Sequence, residues 1–263
     1  MTSATASGRI DRLLAPLAGL GRGGIFLALV VPHLMRPWRQ ARVTLRQLHF
    51  IGARSTTVVA VAGGFVGMVV ALQFYDTLVR FGAVGMLGAA VGLSLIRELA
   101  PVLTALIVIG RVGSAMCAEL GIMRSDSQID ALECMAIDPY AYLVAPRFFA
   151  TLLAVPLLTA VFNVVGIGGG WFVGGVLFGI GEGTYFSGMA DSVLWRDVAM
   201  DLVKALSFGF IIVWVCTAKG YLMHLDRQGA FGAEGVSRTT TDAVVVASIT
   251  VLFADYIISA LML

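Results

Sequence analysis

Charged residues are scarce in this chain, and their scarcity excludes a water-soluble globular protein. Asp, Glu, Lys and Arg make up 13% of the 263 residues, whereas a soluble domain carries roughly 25%. The hydrophobic fraction is 59% and the mean hydropathy is +0.92. Because the chain lacks the polar surface needed to face water on all sides, we predict an all-α, polytopic membrane protein.

Cysteine and histidine are also scarce, which argues against a disulfide framework and against a metal site. Cys117, Cys134 and Cys216 are odd in number and show no CxxC spacing. The three histidines lie far apart in the sequence and form no HExxH pair. The N-terminus has no compact apolar core followed by a small-residue cleavage site, so we expect no cleaved signal peptide.

Motifs of catalytic sites are missing as well. The sequence has no GxxxxGK[ST] phosphate-binding loop and no GxSxG nucleophile elbow. Asp130, Glu133 and Asp138 resemble paired catalytic carboxylates, but they lie in a segment that we interpret below as a docking helix. We therefore predict a non-catalytic protein that holds no cofactor and no metal.

Long apolar runs fill most of the chain and predict five membrane spans. An apolar helix needs about 20 residues to cross a bilayer, and the five runs that we assign are residues 56–78, 84–113, 148–173, 198–221 and 243–263. A glycine-rich, weakly acidic connection covers residues 174–197. The apolar run within residues 10–50 is too short to cross, so we predict an interfacial elbow there. An extra spanning helix is the alternative.

Arginine clusters before the first span and fixes the predicted orientation. Five arginines without any acidic residue precede that span: Arg36, Arg39, Arg42, Arg46 and Arg54. The positive-inside rule places such a tract in the cytoplasm. Five spans that start inside then put residues 119–147, which we call the polar segment, and residues 224–241 in the cytosol.

The polar segment carries signals for a short helix. Ser125 and Gln128 have the spacing of a capping box, which predicts that the helix begins near Asp126. Asp138 and Pro139 are expected to end it, because proline disfavours helical geometry in the residue before it. The predicted product is a short helix held between spans 2 and 3.

This predicted helix is amphipathic and acidic. Ile129, Leu132 and Met135 repeat every three or four residues along one face, and Asp130 and Glu133 occupy another. Helices that lie on lipid headgroups are usually rich in Lys and Arg. The acidic face therefore favours a protein partner, with a position on the headgroups as the alternative.

Span 2 carries two charges close to the middle of the membrane. Glu98 lies about 21 Å along the helix from Val84, and each intramembrane charge costs about 2.5–3.5 kcal/mol on insertion scales. Arg97 and Glu98 point about 100° apart, so they do not neutralise each other. Pro101 removes the backbone hydrogen bond to the Arg97 carbonyl and predicts a kink. The pattern indicates a cavity, with a structural ion pair to other helices as the alternative.

Further polar positions lie at similar depth in other spans. Lys204 in span 4 and Asp255 in span 5 are candidate partners. Leu72, Gln73 and Leu78 near the end of span 1 give a mixed polar and apolar surface, which suits the wall of a cavity for an amphipathic ligand. They are equally compatible with an ordinary helix interface.

Small residues recur every four positions on two spans. Gly63 and Gly67 lie on span 1, and Gly166, Gly170 and Gly174 extend along span 3. Such faces let helices approach closely in lipid, either across a dimer seam or within one chain. No internal repeat is evident, which argues against a secondary transporter built from inverted repeats.

The polar segment and its flanks, LSLIRELAPVLTALIVIGRVGSAMCAELGIMR and PRFFATLLAVPLLTAVFNVVGIGGGW, resemble the MlaE/YrbE family of ABC-transporter permeases. The family motif has the form MRxxEQIDALxxMxxDPxxYLxxPR. It matches here at Met123, Arg124, Gln128, Ile129, Asp130, Ala131, Leu132, Met135, Asp138, Pro139, Tyr142, Leu143, Pro146 and Arg147. Ser127 stands where the family usually has Glu, which removes any role of that carboxylate. The resemblance covers nearly the whole chain as one permease domain.

The resemblance implies a homodimeric permease of the bacterial inner membrane that works with a separate cytosolic ABC ATPase. It also implies a periplasmic MCE-domain protein and a small STAS-domain protein as partners. The implied activity is movement of phospholipid between the inner membrane and a periplasmic carrier, which maintains lipid asymmetry of the outer membrane. A secondary transporter or channel, or a membrane-embedded lipid-modifying enzyme, is the alternative.

The resemblance also assigns residues to the two functions. The coupling helix that seats in the ATPase corresponds to Gln128, Ile129, Asp130, Leu132, Glu133, Met135 and Asp138. A phospholipid cavity at the dimer interface is implied too, and our candidates for its polar contacts or gating pairs are Arg97, Glu98, Lys204 and Asp255. Leu72, Gln73 and Leu78 are the candidates for its wall.

Overall fold

Helices account for the architecture throughout the computed structural model, which describes residues 21–34, 41–225 and 232–262. Within these ranges there is no β-strand. Five helices are long and apolar enough to cross a membrane: Arg42–Arg80, Val84–Ser125, Tyr140–Leu177, Trp195–Tyr221 and Ala233–Met262. We call them spans 1 to 5. The predictions of an all-α polytopic protein and of five spans are confirmed.

The helices of the spans extend past the ends predicted from hydropathy. Span 2 stays helical to Ser125 and span 3 is helical from Tyr140, so only residues 126–139 of the polar segment lie between the two spans. Span 1 is already helical at Arg42, within the basic tract. Hydropathy marks where a helix leaves the apolar layer, whereas a helix continues as long as its backbone hydrogen bonds are favourable.

A shorter helix, Gly21–Leu34, precedes the spans, and we call it the N-terminal helix. Residues 10–20 and 35–40 of the predicted elbow lie outside the described residues. Phe26 is buried, with its ring 5.8 Å from Tyr140 and 5.5 Å from Tyr221. The indole Nε1 of Trp214 donates to the carbonyl of Gly23 at 2.9 Å. The N-terminal helix is therefore seated where span 3 begins and span 4 ends, and its interfacial position stays a prediction.

Glycines let spans 1 and 3 lie in backbone contact. A Cβ added at Gly63 would lie 2.9 Å from the carbonyl oxygen of Phe162, and one added at Gly67 would collide with the backbone of Gly166. Gly170 faces the hydroxyl of Tyr185, where an added Cβ would lie 2.7 Å from the oxygen. Of the two explanations for the small-residue faces, the structure shows packing within one chain.

The glycine-rich connection before span 4 contains a helix that the sequence did not reveal. We call this segment, Glu182–Ser192, the loop helix. Its Tyr185 is buried, and the Tyr185 backbone lies against Gly88 at the start of span 2. The Tyr185 hydroxyl donates to the carbonyl of Ile167 in span 3 at 3.3 Å. Glycine lowers helix propensity, so this helix depends on its tertiary contacts.

Candidate functional site

Lys204 is the centre of a buried charge cluster between spans 2, 4 and 5. Its side chain is completely buried, and its Nζ lies 2.8 Å from Glu98 Oε2 and 2.8 Å from Asp255 Oδ1. The same Nζ donates to the carbonyl oxygen of Arg97 at 2.7 Å. Lys204 thus makes two hydrogen bonds, to Glu98 and to the Arg97 carbonyl, and an ion pair with Asp255, whose Oδ1 has no hydrogen-bond partner among the described residues. The predicted pairing of Lys204 with Asp255 is present in the structure.

The bond to the Arg97 carbonyl follows from the proline one turn later. Pro101 has no N–H group, so it cannot donate to the carbonyl of Arg97 as a helical residue would. The segment Leu95–Leu99 is π-helical, and the N–H of Ala100 bonds back to the carbonyl of Leu95. Lys204 supplies the donor that Pro101 lacks, which ties span 4 to the irregular point of span 2.

The cluster includes two residues that were not among our predicted site residues. Arg97 Nε donates to Asp197 Oδ1 at 2.8 Å, and Asp197 Oδ2 accepts from the backbone N–H of Leu194 at 2.9 Å. Ser259 Oγ donates to Glu98 Oε1 at 3.1 Å. Asp197 lies seven residues before Lys204, about two helical turns, and this spacing was the signal in the sequence for its role.

The cluster has an accessible side. The side chain of Glu98 is 44% exposed and that of Arg97 is 35% exposed. Lys204 and Arg97 carry positive charge, whereas Glu98, Asp197 and Asp255 carry negative charge when ionised. Within a bilayer such groups usually face a cavity or a partner. The arrangement can therefore contact a charged headgroup at its exposed edge while Lys204 stays inside.

The predicted wall residues lie apart from this cluster. Leu72 and Gln73 are exposed on span 1, and Leu78 is half-buried against the core. Among the described residues, no hydrogen bond or ion pair joins any of the three to Lys204 or its partners. Span 1 packs against span 3 and also against span 2, which carries Arg97 and Glu98. Their role in a cavity stays a prediction.

The connecting helix, Gln128–Cys134, does not begin as predicted. Ser125 is the last residue of the preceding helix, and its hydroxyl accepts a hydrogen bond from the N–H of Gly232 at 3.2 Å. Ser127 directly precedes the connecting helix with a φ of 54°, and no side chain caps the helix there. The capping-box prediction is wrong because Ser125 is engaged with the segment before span 5.

The end of the connecting helix also differs from the prediction. Ala136 adopts a φ of 57°, and the N–H of Ile137 bonds to the carbonyl of Leu132 at 3.0 Å, which closes the helix. Asp138 instead accepts from the N–H of Tyr140 at 2.9 Å. An aspartate followed by proline is also a typical start of a helix. Asp138 and Pro139 therefore begin span 3 rather than end the connecting helix.

Only part of the predicted apolar face is buried. Ile129 is fully buried and Leu132 is half-buried, whereas Met135 is 61% exposed because it follows the end of the helix. The exposed residues of the segment include most of the predicted coupling residues: Gln128, Asp130, Glu133, Met135 and Asp138. The segment thus presents an acidic surface with an exposed methionine. Its docking role is not tested by these contacts and stays a prediction.

Ion pairs hold the polar segment to the rest of the chain. Arg124 Nη1 lies 2.8 Å from Asp130 Oδ1, and Arg124 Nε donates to His224 Nδ1 at 3.0 Å. His33 Nε2 of the N-terminal helix lies 2.6 Å from Asp138 Oδ2. These contacts link the connecting helix both to the residues after span 4 and to the N-terminal helix. The segment is fixed in place rather than loosely tethered.

The surroundings of His224 predict that the protein loses stability in mild acid. Burial and the adjacent Arg124 guanidinium lower the pKa of His224 below its ordinary value of 6.5. The unfolded chain therefore takes up a proton first as the pH falls below 6.5, and stability is lost in that range. We expect His224→Gln to reduce the acid-induced drop in melting temperature in detergent, and His49→Gln to leave it intact. An unchanged drop in His224→Gln would contradict this assignment.

Five spans, a charge cluster at a helical irregularity and a fixed polar segment between two spans define a polytopic all-α membrane protein. The chain belongs to the MlaE permease family. Residues 44–261 match the family described as Permease MlaE. The resemblance seen in the sequence is thereby confirmed.

Relatives from bacteria and from a plant match over nearly the whole chain. The intermembrane phospholipid transport system permease protein MlaE of Haemophilus influenzae is 39% identical, over 92% of this chain and 91% of its own. A probable ABC transporter permease protein of Rickettsia typhi is 38% identical, over 92% of both chains. The chloroplastic protein TRIGALACTOSYLDIACYLGLYCEROL 1 of Arabidopsis thaliana is 33% identical, over 90% of this chain and 66% of its own.

Proposed function

We propose that this protein is the membrane-spanning subunit of an ATP-driven ABC transporter that moves phospholipid. It does not hydrolyse ATP itself and works with a separate cytosolic ATPase. Its place is the bacterial inner membrane, and its lipid passes to or from a periplasmic carrier and thereby maintains the asymmetry of the outer membrane. The Haemophilus influenzae relative is named as a phospholipid transport permease, which supports the substrate class.

One observation carries the proposed coupling to the ATPase. The polar segment combines a buried anchor with an exposed acidic surface: Ile129 is fully buried, while Asp130 and Glu133 are exposed. A surface that is held in place by ion pairs can transmit a displacement, whereas a flexible loop would absorb it. The acidic side chains favour a basic groove on the partner through electrostatic complementarity.

The continuous helix of span 2 connects the polar segment to the charge cluster, so it can transmit a displacement of the connecting helix to the cluster. Span 2 runs from Val84 to Ser125 and carries Arg97 and Glu98. About 40 Å of helix separates Glu98 from Ser125 at 1.5 Å per residue. A shift of the connecting helix would therefore move span 2 against Lys204 and change the ion pairs at the cluster. In this mechanism Arg97, Glu98, Lys204 and Asp255 act as gating pairs or as contacts for the lipid headgroup.

The remaining parts of the proposed assembly rest on the resemblance to the family. Two copies of the chain form the lipid cavity, with Leu72, Gln73 and Leu78 on its wall. A periplasmic MCE-domain protein receives or delivers the lipid, and a small STAS-domain protein binds on the cytosolic side. The position of the wall residues on span 1, away from the charges of the same chain, is compatible with a cavity that needs both copies.

Loss of the ATPase on co-purification tests the coupling surface. We expect Glu133→Arg combined with Met135→Arg to abolish retention of the ATPase, because both changes place positive charge at exposed positions that would face a basic groove. Glu182→Arg, an equally exposed charge reversal on the loop helix, is the matched control and is expected to retain the ATPase. Full retention by the double variant would rule out this docking surface.

Reconstitution tests the energy source. We expect lipid transfer from proteoliposomes to a soluble acceptor to require both the ATPase and ATP. Transfer at full rate by this chain alone would instead indicate a channel or a secondary transporter.

A further inference from the structure

A second polar pair lies inside the membrane, between spans 3 and 4, outside the charge cluster. Asn163 Nδ2 donates to Asp201 Oδ2 at 2.9 Å. The other two oxygens of the pair, Asn163 Oδ1 and Asp201 Oδ1, are both buried, and neither has a hydrogen-bond partner among the described residues. The pair therefore holds two buried acceptor atoms, one on each residue, that lack a donor.

One proton would satisfy both oxygens. An ionised carboxylate only accepts hydrogen bonds, whereas a protonated carboxylic acid also donates one. A buried polar group without a partner costs about 1–3 kcal/mol, and an unpaired buried charge costs more. A protonated Asp201 that donates to Asn163 Oδ1, while accepting from Asn163 Nδ2, forms a closed acid–amide pair with two hydrogen bonds and no charge.

The surroundings of Asp201 favour the neutral form of its carboxyl group. Lys204, one turn further along span 4, is already ion-paired with Glu98 and Asp255 and donates to the Arg97 carbonyl. Span 3 offers no compensating charge near Asn163, since its charged side chain, Arg147, lies at the other end of the helix. The charged groups near Asp201 on the elements packed around it are Arg97, Glu98, Asp197, Lys204 and Asp255, together with Arg196 at the start of span 4. Three of these six are positive and three are negative, so they leave no net positive charge to compensate a carboxylate at Asp201.

We propose that Asp201 is a proton-binding residue. It holds a proton, donated to Asn163 Oδ1, while spans 3 and 4 are packed as in this structure. When these spans separate enough to admit water, the acid–amide pair opens and Asp201 releases the proton to water. Proton binding is thus linked to the contact between the two spans. This inference goes beyond the proposed lipid transport and does not depend on it.

A metal cation fits the site less well than a proton. Sodium-like and calcium-like cations take about six or more oxygen ligands, whereas the pair offers two free oxygens. A proton needs only the two atoms that are present. The number of free oxygens at the pair therefore suits a proton better than a metal cation.

Infrared difference spectroscopy of the purified full-length protein tests the proposal. We expect the wild type to show the carbonyl band of a protonated carboxylic acid at neutral pH, shifted in heavy water, and Asp201→Asn to lose it. Asp76→Asn removes an exposed carboxylate that is paired with Arg80 and serves as the matched control, with the acid band retained. Absence of the acid band from the wild type, or a carboxylate band at Asp201 that responds to sodium, overturns the proposal.

A second variant keeps the test independent of the folding of Asp201→Asn. Asn163→Val retains Asp201 but removes both hydrogen bonds of the amide. We expect its acid band to move to the higher frequency of a weakly hydrogen-bonded acid. We also expect the stability of the wild type relative to Asp201→Asn to fall as the pH rises, since only the wild type binds the extra proton in the folded state. A difference between the two melting temperatures that does not change with pH contradicts the proposal.

Discussion

Alanine in place of Gly67 is expected to cause a severe loss of stability, of about 3 kcal/mol. The added Cβ would collide with the backbone of Gly166, at the point where spans 1 and 3 are in direct contact. Backbone atoms cannot rotate away as a side chain can, so the two helices would have to separate along their contact. The melting temperature of the purified protein in detergent, followed by size-exclusion chromatography, measures the effect.

Gly64→Ala provides the matched control for this prediction. Gly64 lies on the same helix, and its added Cβ would meet a side-chain carbon of Val165 at 3.5 Å, which is ordinary van der Waals contact. We expect Gly64→Ala to melt close to the wild type. Equal melting temperatures for Gly67→Ala and Gly64→Ala would show that the close approach of spans 1 and 3 does not stabilise the fold.

Methionine in place of Lys204 is expected to destabilise the protein by about 3–5 kcal/mol, because one partner of a buried ion pair is removed. The carboxylate of Asp255 would lose its ion-pair partner and the carbonyl of Arg97 would lose its donor inside the membrane. Glu98, at 44% exposure, would be less affected. Lipid transfer by the reconstituted complex should fall together with stability.

Two further variants test whether the loss of stability comes from an unpaired buried charge or from the removal of any basic side chain. Combining Lys204→Met with Asp255→Leu replaces the buried pair with apolar groups and is expected to recover part of the stability. Arg80→Met removes an exposed pair with Asp76 and is expected to cost no more than about 0.5 kcal/mol. If the double variant were less stable than Lys204→Met alone, the compensation argument would fail.

The spans and the main charged partners could be predicted because each leaves a local signal in the sequence. Five apolar runs gave five helices, and Lys204 and Asp255 were paired by their similar depth in neighbouring spans. Arg97 and Glu98 stood out because intramembrane charge is expensive. In each case the membrane restricts the options, since it leaves buried charges few alternatives to pairing with each other.

Other features depend on contacts that no local pattern contains. The capping box failed because the Ser125 hydroxyl accepts from Gly232, which is 107 positions away. Asp138 and Pro139 fit a helix end or a helix start, and only the position of span 3 decides between them. The loop helix is stabilised by Tyr185, whose burial requires spans 2 and 3 to be in place. Asn163 and Asp201 lie on different spans, and their register depends on how those spans pack.

The seat of the N-terminal helix bears on the order in which the protein matures during synthesis. Arg22 donates to the carbonyl of Leu225, 203 positions later, and Trp214 donates to the carbonyl of Gly23, 191 positions later. Chains emerge from the ribosome N-terminus first, so these two hydrogen bonds form only after span 4 has been synthesised. Docking of the N-terminal helix against span 4 is therefore a late step in biogenesis. A truncated nascent chain that ends before span 4 should leave this helix accessible to protease.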